Sequence, residues 1–210
     1  RVTGKDRIDD MTSGQRASLI AEISKEVAVA PVAPPVVKGK TVVESYDSAT
    51  QKTTVETQDK KTIKLYRGAP SESPIFEDSK VRGVYGFVDR GSARMFGDTI
   101  FEFEYAPDNV LVTNSQISGM YHLFERLGLE FDDFLDPASD KLPPKAKVLF
   151  PEMTEKELDL ARTVFGPREI YGEFPEIDNA VDKVFAILAK KAGYDAAKFT
   201  EVPTAKQWEI

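Results

Sequence analysis

Apolar residues recur at mostly three- and four-residue spacing near the start of the chain: Ile8, Met11, Leu19, Ile20, Ile23 and Val27. Asp9, Asp10, Arg16, Glu22, Lys25 and Glu26 lie mainly between them. That period predicts an amphipathic helix over residues 5–28, with Thr12 or Ser13 placed to cap a second start after Gly14. Pro31, Pro34 and Pro35 fall in the Ala/Val-rich stretch that follows. Proline at that density cannot continue a helix, so residues 29–40 read as an extended linker and the helix before it as a satellite, a coiled-coil arm or a spacer. The period then drops to two. Val43 and Ser45, then Thr53, Val55 and Thr57, alternate with polar neighbours on either side of Asp47-Ser48-Ala49-Thr50, which predicts a hairpin.

The same reading continues to the end of the chain. Ile63 to Gly68 is a strand, followed by a loop rich in Ser and Pro. Arg82 to Val88 is another strand, and a short helix over 89–97 is stopped by Gly97. Phe101, Phe103 and Tyr105 alternate with Ile100, Glu102 and Glu104, a strand with one wet face, and Asn109 to Val112 is a further strand. Helices are predicted at 115–127, 153–165 and 176–192, with an acidic, proline-rich loop over 130–147 between the first two. Two short strands, 196–201 and 205–210, close the chain. Strands and helices mix without strict βαβ alternation, which predicts an α+β fold with a mixed sheet rather than a doubly wound parallel one. The domain expected is 41–210, behind the helix 1–28 and the linker 29–40.

Composition narrows the chemistry. The chain has 210 residues, 41% hydrophobic and 30% charged, enough for one continuous core and too charged for a membrane protein. Lys and Arg number 28 against 35 Asp and Glu, a net charge of −7, which argues against wrapping bulk nucleic acid or binding an anionic membrane. There is no cysteine and only one histidine. Thiolate nucleophiles, Cys zinc sites and two-His metal motifs are therefore excluded, and no metal is expected. His122, mid-helix, reads as a satisfied or surface side chain. Asp132, Asp133 and Asp136 lack the spacing of a calcium loop and read as solvated carboxylates. Neither a P-loop nor a dinucleotide-binding glycine pattern is present; the glycines of 90–97 fall at the wrong offsets. The chain begins at Arg1 without a signal-peptide pattern, which reads as a piece of a longer polypeptide.

Three features in order carry the functional reading. Leu65-Tyr66-Arg67-Gly68 ends an early strand. Gly83-Val84-Tyr85-Gly86-Phe87 follows, with Asp89, Ala93 and Phe96-Gly97 behind it. Ala192-Gly193-Tyr194-Asp195-Ala196 and then Gln207-Trp208-Glu209-Ile210 come last. Over residues 61–210 this order resembles the ADP-ribosyltransferase fold of bacterial and phage toxins and effectors. The Ser-Thr-Ser motif of the arginine-type toxins is absent, and Gly86-Phe87-Val88-Asp89 stands in its region. The resemblance implies a mono-ADP-ribosyltransferase that uses NAD as substrate and modifies a macromolecular acceptor, protein or nucleic acid. It implies no metal and no membrane, and a soluble domain delivered or virion-packaged into a host cytoplasm.

It also implies roles. Glu209 would be the catalytic carboxylate and Gln207, two residues earlier on the same strand face, its partner in acceptor recognition. Arg67 would hold the pyrophosphate or the nicotinamide ribose, and Gly68 would let the backbone approach the ligand. Tyr85 and Phe96 would wall in the nicotinamide ring. The chemistry is consistent in itself: cleaving the nicotinamide–ribose bond passes through an oxocarbenium-like ribose, which needs a carboxylate beside the developing charge. Each position also has a plain structural reading: Arg67 as a strand-end ion pair, Tyr85 as a core aromatic, Glu209 as an exposed carboxylate. Glu102 and Glu104 form a second carboxylate pair. Two other classes stay open, a catalytically degenerate binding module of the same fold and a structural virion or assembly protein.

Overall fold

A computed structural model describes residues 11–28, 36–69, 85–136, 141–165, 175–200 and 207–209, with 26–28, Tyr85, Pro175 and 207–209 described by their backbone. The start of the expected first helix, the Pro31–Pro35 segment of the linker and residues 70–84, which carry the beginning of the strand expected at Arg82, lie outside these. Among the described residues the fold is α+β, with eight strands in one mixed sheet. The strands are β1 (Lys40–Asp47), β2 (Lys52–Asp59), β3 (Ile63–Ala69), β4 (Tyr85–Phe87), β5 (Thr99–Tyr105), β6 (Asn109–Thr113), β7 (Ala196–Phe199) and β8 (Gln207–Glu209). Their order across the sheet is β2-β1-β6-β7-β8-β4-β3-β5. β6 runs parallel to both β1 and β7, and the remaining pairs are antiparallel.

That order forces a bend. β5 lies five strand spacings from β6, about 24 Å in a flat sheet. Only residues 106–108 separate them in the chain, and four residue steps span at most about 14 Å. The sheet therefore folds over, and the Tyr105 hydroxyl at the end of β5 donates to the Asp195 carbonyl before β7 at 3.1 Å. The face carrying Leu65, Val110 and Ala196 turns inward and is buried. Gly86 is required there: a Cβ at this position would lie 2.8 Å from the Phe103 ring and 3.0 Å from the Leu65 Cβ.

The opposite face carries the helices. α1 (Ser13–Ala28), α2 (Arg90–Ala93, continued by a 3₁₀ turn Arg94–Phe96), α3 (Gln116–Arg126), α4 (Asp132–Leu135), α5 (Pro144–Leu149), α6 (Glu155–Thr163) and α7 (Pro175–Lys191) follow in chain order. Local chemistry sets their ends. Ser115 and Ser118 form a capping box for α3, as Thr154 and Glu157 do for α6. Gly128 and Gly193, at φ of 66° and 85°, follow the ends of α3 and α7. α3 and α7 lie over β6 and β7, burying Leu111, Met120, Leu123, Phe124, Leu188 and Ala197, with the Phe185 and Phe199 rings 5.3 Å apart.

Two expectations are corrected. The N-terminal helix is no satellite: Leu19 and Ile23 of α1, with Met11 before it, are buried in the same core as α3 to α7, and α1 packs on α5. The acidic stretch 130–147 is not simply a loop. It contains α4 and α5, because Phe134, Leu135, Ala146 and Leu149 supply core side chains between its carboxylates and prolines. Asp133, read as a solvated carboxylate, pairs with Lys145 Nζ at 2.9 Å. No helix among the described residues is long and apolar enough to cross a membrane.

Candidate functional site around strands β3, β4 and β8

β4 separates β3 from β8, so three segments distant in sequence become neighbours. Tyr66 pairs with Phe87, and Phe87 with Gln207. Two residues along each strand lie Gly68, Tyr85 and Glu209, and Tyr85 and Glu209 are themselves register partners. On the far side of β8, Glu209 pairs with Ala197 and Gln207 with Phe199. Because paired residues share a face, the positions of Gly68, Tyr85, Gln207 and Glu209 belong to the helix-bearing face. They lie between α2, which packs on β3 and β4, and the α3/α7 layer over β7.

Arg67 is set apart from them. It occupies the intervening position on β3, paired with Phe101, on the inward face with Leu65 and Phe103. Its backbone adjoins that of Gly68, yet its half-buried side chain leaves the sheet on the opposite side from the positions of Tyr85 and Glu209. Period-two alternation decides this, and it applies to any pair of adjacent strand residues.

The close approach foreseen for Gly68 is made by protein. A Cβ there would lie 1.8 Å from the Ala93 carbonyl oxygen, so the glycine admits the end of α2 onto β3, where a ligand had been expected. Asp89 fixes α2 in this place: its carboxylate accepts hydrogen bonds from the Ser92 N–H at 2.7 Å and the Ser92 hydroxyl at 2.8 Å. These bonds hold its carboxyl below the usual range. Gly68→Ala is expected to push α2 off the strand and to cost about 1–3 kcal/mol, as overpacking does. Urea unfolding measures it; a variant as stable as the parent would contradict the packing.

Behind α2 the 3₁₀ turn presents Phe96, which stacks on Phe87 with ring centroids 5.0 Å apart and remains 57% exposed. Met95, beside it in sequence, and Val88, beside Phe87, are also exposed, so the segment between β4 and β5 offers apolar surface. The sequence reading identified Phe96 and missed Met95 and Val88, whose only signal is that both are large apolar residues flanking a turn. Glu102 and Glu104 are exposed on the edge strand β5, opposite Tyr66 and Lys64. Glu102 accepts an ion pair from Lys64 at 2.6 Å.

The Gly193-Tyr194-Asp195 turn ties strands together. The Asp195 carboxylate accepts the backbone N–H groups of Asp108 and Asn109 at 2.9 and 2.8 Å, fixing the start of β6 beside β7. Tyr194 leads into a buried charged group. Glu44 of β1, 1% exposed, meets His122 Nε2 at 2.9 Å and Arg126 Nη1 at 2.9 Å, both from α3. The Tyr46 ring stacks on His122 with centroids 4.4 Å apart, and Arg126 lies over the Tyr194 ring. Burial pushes the Glu44 carboxyl up, but the His122 hydrogen bond, the neighbouring Tyr194 hydroxyl and the Arg126 and His122 charges together outweigh it and lower its pKa. Burial and the Glu44 charge push the Tyr194 phenol well up. The Tyr194 hydroxyl and Arg126 Nε are buried without hydrogen-bond partners among the described residues. His122 is thus satisfied, as expected; Glu44, an acid within an alternating strand, went unnoticed. Among the described residues no group of three His, Asp or Glu side chains is arranged to hold a metal ion.

No family model matches the chain, and no curated protein matches it. Among solved structures it is similar to one described as the crystal structure of an anti-CRISPR protein. The identity is 16% and the TM-score 0.36, over 71% of this chain and 89% of the other.

Proposed function

We propose that the chain carries an NAD-dependent mono-ADP-ribosyltransferase domain, which breaks the nicotinamide–ribose bond and passes ADP-ribose to a protein or nucleic-acid acceptor. The observation that carries the reading is the pairing of Tyr85 with Glu209 on β4 and β8, next to the Tyr66-Arg67-Gly68 end of β3. Such a row sets a carboxylate and an aromatic residue on neighbouring strands, the combination needed to stabilise a ribose oxocarbenium and to wall a nicotinamide ring. Gln207, on the same face two residues before Glu209, is placed to orient the acceptor. Phe96, exposed and stacked on Phe87, supplies a second aromatic surface for the ring.

Arg67 contributes from the inward face. In this reading its guanidinium engages the pyrophosphate at the end of β3, and Gly68 contributes by seating α2. Incubating the protein with NAD labelled in the adenylate half and a cell lysate should place label on a macromolecule. Arg67→Ala should weaken NAD binding by about 10-fold or more, read by calorimetry. Unlabelled lysate together with unchanged NAD affinity would remove the enzyme reading.

One observation favours a second reading. With Arg67 on the other face from Glu209, the fold would serve as a catalytically silent binding module, using the exposed Val88, Met95 and Phe96 surface. That module would retain a partner from lysate while leaving NAD intact.

A further inference from the structure

β2 is exposed at all eight positions and, among the described residues, lies at the end of the sheet and pairs with β1 alone. Its register against β1 runs from Lys40↔Asp59 to Asp47↔Lys52 without a bulge, and it contains no proline. Sheet edges are ordinarily blunted by such devices. The direction of its free groups is fixed by one bond: the Lys60 N–H donates to the Gly39 carbonyl at 3.0 Å. In an antiparallel ladder hydrogen-bonded and non-hydrogen-bonded pairs alternate. The even-numbered residues of β2 therefore bond to β1, and Thr53, Val55, Thr57 and Asp59 turn their N–H and C=O groups outward. Val55 is 60% exposed, on a row of β-branched side chains.

We propose that this edge pairs with β2 of a second copy of the chain, antiparallel across a twofold axis, continuing the sheet through a homodimer. Symmetry restricts the register. A residue facing its neighbour's mate would map a hydrogen-bonded pair onto a non-hydrogen-bonded one, so the central residue faces its own mate. Centring on Val55 or on Glu56 overlaps seven strand residues. The Glu56 centre sets Glu56 against Glu56 and Lys52 against Lys60, like charges directly opposed. The Val55 centre sets Val55 against Val55 and Thr53 against Thr57, with Lys52 diagonal to Glu56 of the second copy. All outward N–H and C=O groups of Thr53, Val55 and Thr57 then find partners. Hydrogen bonding admits both centres, and charge selects the Val55 register.

The proposal stands independently of the enzyme reading. Light scattering of the whole chain should give twice the chain mass of 23.4 kDa. Val55→Pro removes an N–H that β1 does not use, so it should keep the fold by circular dichroism and halve the measured mass. With no native cysteine, Val55→Cys gives one thiol per chain, about 5.5 Å in Cα separation from its mate, within disulfide reach. Thr53→Cys would lie roughly 14 Å from its mate. Under an added oxidant Val55→Cys should cross-link at least about 10-fold faster than Thr53→Cys. A monomer at every attainable concentration, a dimer that persists in folded Val55→Pro, or equal cross-linking of the two thiols would overturn it. Should Val55→Pro not fold, the two cysteine variants decide.

Discussion

Glu209→Gln is expected to lower ADP-ribose transfer by at least about 100-fold while leaving thermal unfolding unchanged. The substitution keeps the size and the hydrogen-bonding reach of the side chain and removes only its negative charge. If that charge stabilises the ribose cation, the loss falls on the transition state, so turnover drops and NAD affinity changes little. Transfer of labelled ADP-ribose and release of nicotinamide, measured together, read the effect. The parallel variant Glu102→Gln, on the exposed outer strand β5, should retain activity. Full activity in Glu209→Gln with loss in Glu102→Gln would move the chemistry to the edge strand and end the present assignment.

The largest effect on stability is expected from Glu44→Gln. The carboxylate is 1% exposed and balances both His122 and Arg126, so its removal leaves cationic and polar groups buried without their counter-charge. Breaking such a group by removing one partner costs about 3–5 kcal/mol, roughly 6–20 °C in Tm for a chain of this size. The pH dependence has a definite sign. The Glu44 carboxyl titrates lower in the folded protein than its ordinary value of 4.5, so the stability it contributes is present above that value. It is lost as the pH falls through the depressed folded pKa. The gap between parent and variant in urea unfolding should therefore be widest near neutrality and should narrow in acid. A gap that is constant with pH, or less than about 1 kcal/mol at neutrality, would show that the cluster contributes packing alone.

α3 and α7 were legible because their apolar positions recur at the helical period and local signals, Ser115 at one end and Gly193 at another, mark where helices begin and stop. The β1–β2 hairpin was legible from alternation alone. By contrast, Asp132 and Asp133 suggested a loop, while Phe134 and Leu135 beside them are buried in a short helix; a four-residue element has too few positions to display a period. The tie between α1 and α5 was invisible for a different reason: amphipathicity shows that a helix has a buried face and is silent on what buries it.

What the amino-acid order determined by itself was local: the kinds of element, their approximate limits, the α+β class and which residue types were available for chemistry. These follow from backbone sterics, capping groups and the periods of 3.6 and 2, all properties of a short window of chain. The order of the strands was decided only in three dimensions, where β8 enters between β7 and β4 and sets Glu209 opposite Tyr85. So was the division of Arg67 from Gly68 between two faces that lead to different surroundings, and the use of Gly68 to admit Ala93. Strand pairing joins residues more than a hundred positions apart through backbone groups that every residue carries. The side chains along one segment therefore cannot name its neighbour; the bend and closure of the whole sheet select it.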